Sequence, residues 1–269
     1  MKLSTAVGAL SNFLGERFPV EKMNVQDLLE HKEVPVHSMS WGYYTGGLTL
    51  FFFLVQALTG LLLLFYYQPT VSDAYASVEF ISKYVGGGQL IRNMHTWSAS
   101  GMILFAVIHL LTTFSMKAFE KPREITWLTG VVLLLITFAF GFTGYLLPWN
   151  QIAVNATKVA FQSIDALGQY LPRGLSTLPS TLRATFQGEL SVGQITLSRF
   201  YALHVVILPL CLVVLLGIHL FSVQLHGMSV GIDATITKKE RFFPNFLVKD
   251  ISLWSVVFLI LFILSDHCR

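Results

Sequence analysis

The sequence predicts an all-α membrane protein: a four-helix transmembrane bundle, a fifth transmembrane helix, and helices lying on the membrane surface ahead of them. Composition, long uncharged runs and histidines recurring inside two of those runs carry this expectation. Of the 269 residues, 54% are hydrophobic and only 12% are charged, a balance that soluble domains do not show. Four uncharged stretches, 46–67, 94–116, 127–147 and 202–224, each reach the roughly 20 helical residues that cross a hydrocarbon core. A fifth, 251–265, is short and is bracketed by Asp250 and Asp266. It spans if its flanking charges snorkel or the bilayer thins.

Three regions follow: surface helices within 1–40, the bundle over 41–230, and a connector with the fifth helix over 231–269. Segments 3–18 and 25–31 mix apolar and charged residues, as helices at a membrane interface do. The first span begins too far into the chain to be a signal-peptide core, so the N-terminus is expected to be retained. Lys and Arg set the orientation, because positive loops stay on the cytoplasmic side. Lys2, Arg17, Lys22 and Lys32 precede span one; Lys117, Lys121 and Arg123 follow span two; Lys238, Lys239, Arg241 and Lys249 follow span four. These segments, with the N-terminus, are placed on the cytoplasmic side, as in a multi-pass protein of a bacterial cytoplasmic membrane. The net charge of +3 therefore reflects topology and gives no reason to invoke nucleic acid. Cys211 and Cys268 are the only cysteines, which excludes disulfide and zinc frameworks and the Cys-x-x-Cys-His attachment of a c-type haem. No glycine loop of the phosphate-cradling kind occurs.

Four of the eight histidines lie inside spans: His95 and His109 on the second, His204 and His219 on the fourth. An ionisable group at membrane depth needs a partner, a water path or a metal. Fourteen residues return to within roughly 40° of the starting face and advance about 21 Å, whereas the fifteen from His204 to His219 end some 60° past a whole number of turns. Spans two and four run in the same direction, so His95 lies level with His204 and His109 with His219. Each pair can clamp a haem from both faces through neutral imidazole nitrogens, giving six-coordinate iron that carries electrons. A proton relay and a set of packing histidines are the alternatives.

Gly46 and Gly60 on span one, and Gly130 and Gly144 on span three, are also fourteen apart. A missing side chain lets a porphyrin lie against backbone, although close helix packing in a membrane uses glycine in the same way. Arg92, one turn before His95, and Arg123, in the loop nearest the His109 level, can each pair with a haem propionate. Both can equally be topology-setting charges.

Five strings now resemble a known family. Leu90-Ile-Arg-Asn-Met-His95-Thr-Trp-Ser-Ala-Ser, Lys121-Pro-Arg-Glu, Gly141-Phe-Thr-Gly-Tyr-Leu-Leu-Pro-Trp149, Thr196-Leu-Ser-Arg-Phe-Tyr-Ala-Leu-His204 and Phe243-Pro-Asn-Phe-Leu-Val-Lys-Asp250 resemble cytochrome b of the quinol-oxidising bc and bf complexes. They touch most of the chain from residue 35 onward. The resemblance implies a di-haem bundle with two non-covalent b-type haems, the low-potential one held by His95 and His204 and the high-potential one by His109 and His219. It also implies a quinol:cytochrome c, or similar acceptor, oxidoreductase. Quinol is oxidised at an outer pocket; one electron goes to a Rieske iron–sulfur protein and the other crosses both haems to a quinone at an inner site.

The segment 144–160 would form one wall of the outer pocket, with Tyr145, Pro148 and Trp149 at motif positions; Tyr145 and Trp149 can also be interface anchors. The family's Pro-Glu-Trp-Tyr motif lies beyond its fifth helix and is not in this sequence. A second cytochrome b chain carrying the remaining helices is therefore expected, alongside the Rieske protein and a c-type cytochrome in a dimeric complex, with no activity from this chain alone. Tyr44 stands where some members place a cysteine that holds an additional covalent c-type haem, so that haem is not expected. Lys249 and Asp250 resemble the inner quinone site of the mitochondrial type, and His226 adds a third polar group; solvation at the cytoplasmic edge is the alternative for all three. Di-haem anchors of membrane dehydrogenases also use paired histidines, but they do not explain the Gly-Tyr-x-Leu-Pro-Trp string. A transporter with a histidine proton path predicts a colourless protein.

Overall fold

The computed structural model describes residues 8, 12–13, 15–17, 32–231 and 235–267. The surface helix expected over 25–31 lies outside the described residues; within 3–18, the described residues are helical. Among the described residues, α1 (Tyr43–Leu64), α2 (Ala74–Tyr84), α3 (Gly88–Ser115), α4 (Glu124–Leu146), α5 (Gln151–Leu167), α6 (Leu178–Gln187), α7 (Gln194–Ala202), α8 (Leu208–His226) and α9 (Leu247–His267) follow one another, with short strands β1 (Glu33–Val36) and β2 (Lys238–Arg241).

Among the described residues five segments are long and apolar enough to cross a membrane: Ser40–Leu64, Gly88–Ser115, Glu124–Leu146, Gln194–His226 and Phe242–His267. A helix satisfies its own backbone hydrogen bonds, which is the condition for lying in lipid. Leu58, Leu104, Leu128, Leu135, Leu210 and Leu259 stay exposed on these helices, the apolar outer surface that acyl chains cover.

Two spans depart from expectation. The fifth does not stop at its flanking charges: α9 includes both Asp250 and Asp266. Asp250 is only 8% exposed, so its carboxyl packs inside the protein and does not mark a water boundary. The fourth contains a π turn, Leu203–Ile207, between α7 and α8. Pro209 has no N–H to donate back along the helix, and a π turn inserts one residue into the helical phase. The turn falls at the start of the fifteen-residue interval from His204 to His219.

Residue contacts gather into two compact units, and all five spans contribute to each. The first holds Met1–Val55, Trp97–Leu135 and Leu212–Leu264. Its strands pair antiparallel, Glu33 opposite Arg241 and Val36 opposite Lys238, burying Val34. Its apolar core includes Leu48, Phe51, Phe52, Met102, Leu212 and Phe246. The second unit holds Gln56–Thr96, Ile136–Cys211 and Ser265–Arg269. There Leu146, Phe161, Val192 and Phe200 form a buried cluster against which Leu147, Trp149, Val154 and Ile164 pack. The segment 144–160, expected to form one wall of the outer pocket, is helical except over 147–150. Asn150 caps α5, its side chain accepting from Ala153 N at 2.8 Å.

Candidate functional site

Each unit brings one histidine pair together. In the second unit the rings of His95 and His204 lie 6.4 Å apart, centre to centre, at 70°. A metal–imidazole bond of about 2.0–2.1 Å, plus about 1.1 Å from nitrogen to ring centre, puts two axial rings roughly 6.3 Å apart. The separation therefore fits one metal ion between two imidazoles. In the first unit His109 and His219 lie close enough for a charge on one to act on the other. No cluster of three or more metal-ligating side chains occurs among the described residues; an axially ligated macrocycle needs only the pair.

What fixes the rings was not anticipated from sequence. Every one of the four histidines presents Nδ1 to a threonine hydroxyl: His109 to Thr45 at 3.1 Å, His95 to Thr59 at 2.9 Å, His219 to Thr129 at 3.1 Å and His204 to Thr143 at 3.1 Å. Each hydroxyl has a carbonyl of its own helix to donate to, for example Thr45 to Gly42 O at 2.6 Å, Thr129 to Ile125 O at 2.9 Å and Thr143 to Ala139 O at 2.7 Å. The hydroxyl proton being so used, the threonine oxygen accepts from the imidazole, and Nδ1 carries the hydrogen. At His219 the carbonyl of Thr126, which can only accept, lies 3.0 Å from Nδ1 and requires the same tautomer. All four Nε2 atoms are left with a lone pair for a metal.

The four glycines sit beside the histidines at the same levels. A Cβ on Gly46 would stand 2.9 Å from His109 Cε1, on Gly60 3.2 Å from His95 Cε1, on Gly130 3.1 Å from His219 Cε1, and on Gly144 2.6 Å from His204 Cε1. Their visible role is to admit the imidazole edge. The signal was present in the sequence as a Thr-Gly dipeptide at 45–46, 59–60, 129–130 and 143–144.

The other expected residues are placed as follows. Arg92 donates to Ser82 Oγ at 2.9 Å. Arg123 donates to the carbonyl of His226 at 3.0 Å, while its Nε is buried without a partner. Both ring nitrogens of His226 are also buried and unpartnered. Lys249 pairs with Glu240 at 2.5 Å. Asp250 presses its carboxylate against Gly47 on α1, where no Cβ would fit. Among the described residues no hydrogen bond joins Lys249, Asp250 and His226. Nearby, Lys32 donates to Gln224 Oε1 and to Val223 O, and burial pulls its ammonium down to about 8. Of the outer motif positions, Tyr145 is exposed and Trp149 adopts a φ of 50°, a conformation few bulky residues take.

Comparison with known proteins identifies the family. The family model described as Cytochrome b/b6/petB matches residues 29–227. A cytochrome bc complex cytochrome b subunit of Chlorobaculum thiosulfatiphilum is 45% identical over 261 residues, 96% of this chain. The chain spans 59% of that relative's length. Among solved structures, a chain of a hyperthermophilic respiratory Complex III superposes with a TM-score of 0.79 at 26% identity, over 95% of this chain and 67% of that one. With its five spanning helices and these matches, the chain belongs to the cytochrome b family and is an integral membrane protein.

Proposed function

We propose that this chain is the cytochrome b subunit of a quinol-oxidising bc-type complex, moving electrons from an outer quinol-oxidation site to an inner quinone-reduction site. The observation that carries the proposal is the doubled arrangement of paired histidines, each ring held through Nδ1 by a threonine hydroxyl. When bound, two b-type haems supply one-electron redox centres at the two histidine levels. His95 with His204 and His109 with His219 would hold the two groups, Thr45, Thr59, Thr129 and Thr143 fix their tautomers, and the four glycines admit the rings. The unpartnered Nε of Arg123 offers a propionate a hydrogen bond. The cytoplasmic N-terminus, the Rieske protein and the c-type cytochrome belong to the same proposal.

The threonines give it a graded consequence. Thr143→Val removes the hydroxyl that accepts from His204 Nδ1, making the ligand less electron-rich. The outer haem should stay bound with its midpoint potential raised by on the order of 60 mV, which corresponds to a tenfold change in relative affinity for the two redox states. Thr129→Val should move the inner potential less, because the Thr126 carbonyl still accepts from His219. Redox titration of the two variants checks both.

At the inner site, Asp250 is buried against Gly47, beside Gly46, which admits the His109 ring. A carboxyl there can pass a proton to a reduced quinone oxygen, while Lys249 holds its charge on Glu240. Asp250→Asn should slow reoxidation of the inner haem by quinone about 10²-fold or more, with both haem spectra nearly unchanged. Stopped-flow haem kinetics on the complex tests this. Unchanged reoxidation overturns the assignment of Asp250, and loss of the haem makes its role structural.

A further inference from the structure

Asp250 lies within a ladder that joins α1 to α9. Tyr44 stacks on Phe246 with ring centres 4.8 Å apart and planes at 11°. Gly47 receives the Asp250 carboxylate. Phe51 meets Trp254 at 5.7 Å. Asp250 and Trp254 are four residues apart on α9 and share one of its faces, and Phe246, four residues before Asp250, closes the π turn Phe242–Phe246 that leads into α9. On α1, residues 44, 47 and 51 share the facing stripe by the same rule. The carboxylate is therefore bounded by one aromatic rung on its cytoplasmic side and by another one turn deeper.

The deeper rung is incomplete in its hydrogen bonds. Trp254 Nε1 and Asp250 Oδ1 are both buried, and among the described residues neither closes a hydrogen bond of good geometry. An indole N–H can only donate, and an ionised carboxylate can only accept. The two are near enough to interact and do not close a direct bond of good geometry. A buried donor and a buried acceptor left open on one helix face each carry a desolvation cost until something fills both. One oxygen atom does so: a hydroxyl accepts from the indole and donates to the carboxylate. A quinol hydroxyl has that chemistry, and so does a water.

We propose that Trp254 is the second hydrogen-bonding residue of the inner quinone site: its indole N–H holds the quinone oxygen that a protonated Asp250 carboxyl protonates as the inner haem supplies the electron, and the carboxylate left behind then accepts from the new quinol hydroxyl. The proposal rests on the inner-site reading of Asp250. The two residues have separable tasks. Trp254 has no proton to transfer at working pH, so it contributes binding and position. Asp250 titrates, so it contributes to the proton step. Phe51 keeps the indole from turning away, and Gly47 leaves the carboxylate room to face the gap.

Trp254→Phe keeps the ring contact with Phe51 and removes only the N–H. In the purified complex, reoxidation of the inner haem is followed by stopped flow as a function of quinone concentration, beside Asp250→Asn. Loss of one neutral hydrogen bond predicts that Trp254→Phe raises the half-saturating quinone concentration about five- to tenfold. Its limiting rate should stay within about twofold, with haem content and both midpoint potentials unchanged. Asp250→Asn should instead lower the limiting rate. An unchanged half-saturating concentration in Trp254→Phe, with Asp250→Asn still slow, overturns the role of Trp254 and leaves the inner site standing; the bridging oxygen is then a structural water. Normal kinetics in both variants overturns the inner-site reading itself. Haem loss in Trp254→Phe also overturns the proposal, since it makes the indole a packing residue.

Discussion

Replacing His109 or His219 with leucine should remove the inner haem entirely and leave the outer one, lowering the b-type haem per chain from two to one. Each iron has only two protein ligands in this scheme, and neutral leucine supplies no lone pair. The outer haem serves as an internal control for folding. The threonines and glycines that hold His95 and His204 all belong to the contact unit that does not contain His109 and His219. Haem extraction gives the stoichiometry, and a reduced-minus-oxidised spectrum shows which band is lost. Both bands persisting in either variant would refute the pairing. Loss of both would show that the two levels do not assemble independently.

The sequence made the spans legible because a helix in lipid must be apolar over a fixed length, and nothing else in the chain has to be. The histidine levels were legible for a related reason. Four ionisable groups at membrane depth are too costly to be incidental, and intervals of fourteen and fifteen residues are visible by counting. The π turn was not legible as such, although Pro209 is a local cause of it. The ribbon of β1 and β2 was missed because its strands are four residues each and roughly 200 residues apart in sequence, with no alternation to mark them.

The glycines and threonines show a subtler limit. Counting put Gly46, Gly60, Gly130 and Gly144 at the histidine levels and read the space they leave as room for a porphyrin. In the structure an imidazole edge lies against each of them as well. The threonine before each glycine is ordinary in a membrane helix, where a hydroxyl commonly bonds to its own helix. Only the geometry shows that the same hydroxyl also receives a proton from a facing histidine. Asp250 was read as a flanking charge or a quinone ligand on adjacency to Lys249. The two side chains in fact diverge, one to Gly47 and one to Glu240, as neighbours about 100° apart on a helix should.

The glycine contacts predict an ordered series of alanine variants. Gly144→Ala should be the most severe, because its Cβ would stand 2.6 Å from His204 Cε1 and 3.1 Å from Nδ1. The ring has little freedom to retreat. Thr143 holds its Nδ1 at 3.1 Å, and Phe140 meets its face edge-on at 5.4 Å. Overpacking of this kind typically costs about 1–3 kcal/mol, and here the displacement moves Nε2 off the axis shared with His95. The outer haem should fall to less than about half occupancy, or show a potential shifted by on the order of 60 mV or more, a tenfold change between redox states. Gly46→Ala, at 2.9 Å from His109 Cε1, should do the same to the inner haem in weaker form. Gly130→Ala and Gly60→Ala, at 3.1 and 3.2 Å, meet only the Cε1 edge at close range, and a shift of a few tenths of an ångström relieves both. Those two variants should retain full haem with altered band positions. Spectral quantification of all four decides the matter: full occupancy and an unmoved potential in Gly144→Ala would mean that the His204 ring is not held where these contacts put it.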